Sequence, residues 1–596
     1  MSNPTPPRSR AFSFVFKAFA VLGLVTFVGG FGLLCILSLT CLSGEDVPSK
    51  TVLELRLDRP LGEIPSSDPV SSILGESGTT VHDVVRALDQ AAQDDRVAGV
   101  VAYVGGSSGG MAVTQELRDA VLRFRESGKF AYAFSESFGA MSSGTQGYYL
   151  ASAFDQVWLQ PSGELGLVGL MSSSMFYKGT FEMLDVEVLG DRRREYKNAF
   201  NSYTERRYTA AHQEAVRTLL EDLLEQIEAG IAEGRGGSAD AVHGWIADGP
   251  YVAPKAEAAG LVDRLGYRDE VLAAAREKAG DDAQLLYAEK YLERIDPPSG
   301  DRTIAVVYGV GAVMQGASGS DPLSGSQTMG SDTVASAIAA AVADDSVDAI
   351  VFRVDSPGGS PVASDTIWRE TIRAKEAGKP VIVSMGNVAA SGGYYVAAGA
   401  TKIVAQPGTI TGSIGVFAGK PNLRKLWNKV GVTWDSVSTS DNARAYSQVH
   451  GYDEKGWAAL QASLDQIYVD FKSRVAEGRG MTPEQVEEIA KGRVWSGVRA
   501  KEIGLVDELG GMADAIRIAK VEAGLEADAE VSVTVFPPSR GWVERLLGGG
   551  SGDNSEAVRA HRVDVERWRG VVRTLQEAGI EPASRGAVQM PAMNLD

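Results

Sequence analysis

Asp94-Asp95-Arg96-Val97-Ala98-Gly99-Val100-Val101 and Asp344-Asp345-Ser346-Val347-Asp348-Ala349-Ile350-Val351 are two versions of one stretch, an acidic turn that runs into an apolar, β-branched strand. The correspondence extends in register. Gly147-Tyr148-Tyr149 answers to Gly393-Tyr394-Tyr395, Ala232-Glu233-Gly234-Arg235-Gly236 to Ala476-Glu477-Gly478-Arg479-Gly480, and Gly260-Leu261-Val262-Asp263 to Gly504-Leu505-Val506-Asp507. A unit of this length written twice means two structural copies, each large enough for its own core. Within a copy, apolar runs such as Ala349 to Val354 and Val381 to Ser384 alternate with helical patterns such as Val334 to Ala343 and Thr366 to Glu376. That alternation predicts α/β units with a largely parallel sheet, whose ligand-bearing turns follow the strands.

The copies are expected over residues 50–295 and 302–537, joined by Asp296-Pro297-Pro298-Ser299-Gly300-Asp301. Beyond them, residues 538–596 start in a Gly-rich stretch and continue as a charged helical pattern from Ser555 to Ala578, read as a peripheral tail. At the other end, Ala18 to Leu42 carry no formal charge over 25 residues, more than the ~20 a bilayer core requires. Residues 18–42 are therefore expected to be an uncleaved transmembrane signal anchor. Arg8, Arg10 and Lys17 keep residues 1–17 cytoplasmic, while Glu45 and Asp46 lie on the far side. In a Gram-negative cell this fixes the chain in the inner membrane by a single pass, with both copies in the periplasm.

Composition narrows the chemistry. A formal charge of −19 over 596 residues argues against nucleic acid as a partner. The two cysteines, Cys35 and Cys41, both fall inside the apolar run, so neither a disulfide framework nor a thiolate metal site is available. A nucleophile outside the apolar run must be Ser, Thr, Lys or a carboxylate, unless a bound cofactor performs the chemistry, and the reading reached below implies no metal or other cofactor.

Two turns draw attention. Ala389-Ala390-Ser391-Gly392-Gly393 follows a strand and opens a helical pattern, so Ser391 stands where backbone N–H groups gather. Asp355-Ser356-Pro357-Gly358-Gly359-Ser360 also follows a strand and could add a second N–H. Each turn alone is more often packing than chemistry. Together and in order, Val354-Asp355-Ser356-Pro357-Gly358-Gly359, Ser384 to Tyr395, and Thr411-Gly412-Ser413-Ile414-Gly415-Val416 resemble the signature of the signal peptide peptidase A family (protease IV), in its long, duplicated form. The resemblance spans residues 50 to 530.

It implies tandem ClpP/crotonase-like domains and a membrane-anchored serine endopeptidase that degrades residual signal peptides with a Ser/Lys dyad. It also implies Ser391 as nucleophile and Lys197, in Tyr196-Lys197-Asn198-Ala199-Phe200, as general base. Gly392 and Gly359 would donate to the oxyanion, with Gly358 an alternative to Gly359, and Ser413 would orient the lysine amine. A homotetramer is implied as well, acting on signal peptides and other short or unfolded peptides. The family usually has Asn where Asp355 stands.

Lys197 meets a demanding requirement. A lysine with an ordinary pKa near 10.4 is charged at neutral pH and cannot take a proton from Ser391, so its pocket must be dry. Arg192, Arg193 and Arg194, if close, would push in the same direction. The repeat supplies a control: opposite Ser391 the first copy runs Gly144-Thr145-Gln146, and opposite Lys197 the second runs Asn442-Ala443-Arg444. One site per chain, built across both copies, follows.

Gly105-Gly106-Ser107-Ser108-Gly109 imitates a nucleophile elbow. An elbow serine needs a histidine, however, and His82, His212, His243, His450 and His561 lie in no matching motif; His212 and His450 are read as surface residues. A crotonase-like acyl-CoA enzyme would share the fold, but an external location denies it coenzyme A. A catalytically silent scaffold is opposed by the intact Ser391 and Lys197.

Overall fold

The computed structural model describes residues 46–64, 78–107, 109–280, 282–320, 326–537 and 594–595. In the first copy these include β1 (Thr51–Leu57), α1 (Val81–Gln93), β2 (Val97–Val104), α2 (Met111–Glu126), β3 (Phe130–Ser135), α3 (Thr145–Ala151), β4 (Gln156–Leu159), β5 (Glu187–Arg192), α4 (Ala210–Arg235), β6 (Arg264–Leu265) and β7 (Gln284–Tyr287). The second copy has β8 (Thr303–Val310), α5 (Ser331–Ala343), β9 (Val347–Ser356), α6 (Pro361–Glu376), β10 (Val381–Ala390), α7 (Gly392–Ala397), β11 (Lys402–Ala405), β12 (Ile410–Gly412), β13 (Phe417–Asn422), α8 (Glu454–Arg479), β14 (Val494–Ser496), β15 (Glu508–Leu509), α9 (Met512–Glu522) and β16 (Ser532–Val535).

The first sheet runs β7-β1-β2-β3-β4-β6, all parallel. The second runs β14-β12-β10-β9-β8-β16, with β11 also on β10 and β15 on β11; only β14 is antiparallel. Central strands are apolar on both faces because helices cover both, as a parallel sheet demands. The duplication is a mixed α/β architecture built twice.

The repeated residues have matching tasks. Tyr148 donates its hydroxyl to the Leu261 carbonyl at 2.6 Å and Tyr394 to that of Leu505 at 2.9 Å. Asp263 accepts from the Val157 N–H and Asp507 from the Ile403 N–H. The 26-residue helices α4 and α8 both end on a left-handed glycine, Gly236 or Gly480.

The copies are not separate beads. Ile410, Val388 and Val494 of the second pack into the first copy's core. Between the copies lies a buried ionic cluster, in which Arg353 on β9 donates to Glu63 at 2.9 Å and to Glu116 on α2 at 2.7 Å. Glu116 also accepts from the Met512 N–H, at the start of α9. Finally, β5 of the first copy pairs antiparallel with β13 of the second along its whole length, Glu187 opposite Asn422 and Arg192 opposite Phe417.

Among the described residues no helix is long and apolar enough to cross a membrane. The expected span 18–42 lies outside those residues, as does the tail 538–593.

Candidate active site

Strand β10 reaches the site through a bulge. Val354 pairs with Met385 but Ser356 with Ala389, so β10 spends four residues where β9 spends two. Two residues beyond Ala389, Ser391 adopts φ 56° and ψ −119°, a region costly for any residue with a Cβ. Its N–H is fastened to the Gly412 carbonyl at 2.9 Å, and α7 starts at the next residue. The serine is thus held at a helix entrance by the sheet on one side and the 411–416 turn on the other.

Lys197 arrives from the first copy. After β5 zips onto β13, the Arg193 N–H bonds the Val416 carbonyl at 2.8 Å and the Tyr196 N–H bonds that of Lys491 at 3.1 Å. A short 3₁₀ turn, Asn198–Phe200, then lays Phe200 against Phe417. Gly492 allows this approach: its φ is 78°, and a Cβ there would stand 2.6 Å from the Lys197 backbone nitrogen.

The structure brings the two predicted residues together. Lys197 Nζ lies 2.9 Å from Ser391 Oγ, 2.9 Å from the Ser413 carbonyl and 3.0 Å from Ser413 Oγ. Lys197 is only 1% exposed and Ser391 wholly buried. Burial, its one cause, brings the Lys197 pKa down to about 7. The arginine run contributes nothing to this, contrary to the sequence expectation: Arg193 is taken up by Asp465 and Gln461, and Arg194 by Glu487. Acidic partners from α8 and from the helix Pro483–Ile489 neutralise Arg193 and Arg194 before they can act on the amine.

The glycine loop closes the far side of Ser391. The Gly358 N–H donates to Ser356 Oγ at 3.1 Å, whereas no described hydrogen bond uses the N–H of Gly359 or of Gly392. The two glycines stand against each other, since a Cβ on Gly392 would lie 2.9 Å from the Gly359 nitrogen. Between Gly358 and Gly359, Gly359 is the free donor.

In the first copy the corresponding space is filled. Thr145 is buried and its hydroxyl accepts from the Val168 N–H at 3.1 Å. Gln146, next in line, sends its carboxamide to the Gly109 carbonyl and Thr114 Oγ1, each at 2.8 Å. Ser107 donates to Gln146 Oε1 and the Gly109 carbonyl, while Ser108 lies outside the described residues. His212, expected on the surface, is buried beside Asn201, Tyr208 and Phe176, where burial and then Arg192 bring it down to about 4. His450 is half-buried and bonded to Ser447 and Arg424. Among the described residues no cluster of His, Cys, Asp and Glu is arranged to hold a metal.

The chain is similar to known proteins in sequence and, more distantly, in structure. The profile of Peptidase family S49 matches residues 125–281 and again 373–526. The chain is 32% identical over 498 residues to the chloroplastic serine protease SPPA of Arabidopsis thaliana, covering 80% of this chain and 70% of that one. It is 34% identical over 453 residues to Protease 4 of Salmonella typhi, covering 73% and 71%. Among solved structures, a ClpP1 variant from Listeria monocytogenes shares 16% identity over 35% of this chain and 94% of its own, with a TM-score of 0.23.

Proposed function

This chain belongs to Peptidase family S49 and is a serine protease, and from that premise we propose that it is a membrane-anchored endopeptidase with Ser391 as nucleophile and Lys197 as general base. One observation carries the proposal: a fully buried amine, brought to about 7, stands 2.9 Å from a buried serine hydroxyl. A neutral amine at that distance can accept the proton as Ser391 Oγ attacks the scissile carbonyl. The ammonium then protonates the leaving amine, the acyl-serine forms, and Lys197 takes a proton from the water that hydrolyses it. The Gly359 and Gly392 N–H groups receive the oxyanion. Ser413 holds the amine through its hydroxyl and carbonyl.

The substrates are residual signal peptides and other short or unfolded peptides. The anchor, residues 18–42, holds the catalytic copies on the periplasmic side of the inner membrane. The copies also support self-association to a homotetramer, the number implied by the family resemblance. Tyr148 aligns with Tyr394 at an offset of 246 (394 − 148), which places residues 171–176 opposite β13 and residues 433–438 opposite β5. Within these two segments Met171, Met175, Trp434 and Val437 are exposed. A second chain can therefore repeat between molecules the strand pairing that β5 and β13 make within one, displacing the two-residue pairing of Asn594–Leu595 on Ser172–Ser173.

A serine-reactive peptide analogue is expected to label Ser391, with Ser391→Ala and Lys197→Ala each abolishing cleavage while leaving the thermal transition intact. An adduct elsewhere, or activity in either variant, refutes the dyad.

A further inference from the structure

Asp355 departs from the asparagine usual in the resembling family, and no step above uses it. It lies between the two loops that form the site, four residues before Gly359 and on the strand next to the β10 bulge. Its Oδ1 accepts the Val388 N–H at 2.9 Å, tying β9 to the bulge beside the longer bond from Arg353 to the Met385 carbonyl, and its carbonyl accepts from the Gly311 N–H at 2.9 Å. Asn387, also in the bulge, accepts the Val113 N–H at the start of α2, and Thr409 donates to the Gly386 carbonyl. The bulge therefore carries strand, copy interface and Ser391 turn at once, and Asp355 fixes its middle.

We infer that Asp355 is a positioning residue, whose ionised carboxylate holds the Val388 bulge and thereby the spacing between Ser391 and the Gly359 loop. The inference rests on the Ser391 and Lys197 assignment. Asp355 is half-buried, and its carboxyl is faced by Glu63, from the segment before α1, and by Arg353 on its own strand. Around these stand Glu116 of α2, Tyr308 of β8, and His82 and Asp83 of α1. Burial, then Glu63, push Asp355 up to about 6. A charged acceptor makes the stronger bond to an N–H, so protonation loosens the clamp, and a neutral carboxyl can turn to donate to Glu63 instead.

The test is the pH profile of kcat/KM on a fluorogenic peptide, for the full chain and its Ser391→Ala, Asp355→Asn and Asp355→Ala variants. In the parent, log kcat/KM should fall with a slope of one just below pH 7 and approach two below pH 6, as Lys197 and then Asp355 take up protons. Asp355→Asn keeps a neutral acceptor that does not titrate. Its activity at pH 8 should stay within about threefold of the parent and its slope below pH 6 should return to one. Asp355→Ala should lose ~10–100-fold in kcat at pH 8 with KM little changed, the scale of an ångström's misplacement. A parental profile in Asp355→Asn, or full activity in Asp355→Ala, overturns the inference even if Ser391→Ala is dead. Activity in Ser391→Ala instead overturns the catalytic assignment beneath it. Should the alanine variant fail to fold, the asparagine profile decides alone.

Discussion

With Lys197 as the proposed base, its depressed pKa dictates the shape of the pH profile above neutrality as well as below it. An amine with a pKa of about 7 is about 90% neutral at pH 8 and about 9% neutral at pH 6, so this group alone should raise kcat/KM about tenfold between them and level off by pH 8.5. A lysine at its ordinary 10.5 would be about 0.3% neutral at pH 8, and its rate would climb tenfold per pH unit through pH 10. The drop from 10.5 to about 7 amounts to about 5 kcal/mol of penalty on the ammonium, supplied by burial. Stability carries the same signature. Between pH 7 and 10.5 the unfolded chain holds a proton on Lys197 that the folded chain does not, so this group makes stability rise with pH, by about 1.4 kcal/mol per unit. Below pH 7 both states are protonated and the whole penalty is present. The assays are kcat/KM on a soluble peptide from pH 5 to 10 and urea unfolding over the same range in Lys197→Met, which removes the titration. A rate still climbing between pH 9 and 10, or a difference in stability between parent and Lys197→Met that does not shrink as pH rises from 7 to 10, would refute the reasoning.

Three further outcomes are expected. Ser413→Ala removes one of the two Ser413 groups that hold Lys197 Nζ and should cost ~10–100-fold in kcat with little change in KM, measured by steady-state kinetics. Gly492→Ala forces a Cβ into a left-handed position and against the Lys197 backbone; the strain of about 1–2 kcal/mol should lower Tm by only a few degrees, whereas kcat/KM should fall ~100-fold. Arg353→Ala leaves Glu63 and Glu116 buried without their cation, and urea titration should register a loss of about 3–5 kcal/mol.

The features legible in the sequence are those a local pattern can carry. The strand and helix alternation, the paired repeats and the turn at Ser391 all depend on neighbours a few residues apart. Lys197 was reachable only through the ordered resemblance, because nothing local distinguishes it from the charges beside it. The fate of Arg193 and Arg194 was hidden: their partners Asp465 and Glu487 lie more than 270 positions away, so sequence proximity wrongly suggested that they would act on the amine. Likewise His212 is amphipathic in pattern but becomes buried when Phe176 and Tyr208 fold over it. The Arg353, Glu63 and Glu116 cluster shows the same limit, since three charged residues give no apolar periodicity and meet only once both copies have docked.

The pairing of β5 with β13 also has a consequence in time. During synthesis Lys197 leaves the ribosome first, while Ser391, Ser413 and Gly492 follow much later. From Lys197 to Gly492 is 295 residues (492 − 197), roughly 15–60 s of elongation. Until Gly492 is in place the amine has no dry pocket in which to lose its proton, so on the proposed mechanism a half-made chain cannot cut unfolded neighbours. Dividing the proposed site between an early and a late copy makes completion of the polypeptide the condition for its chemistry.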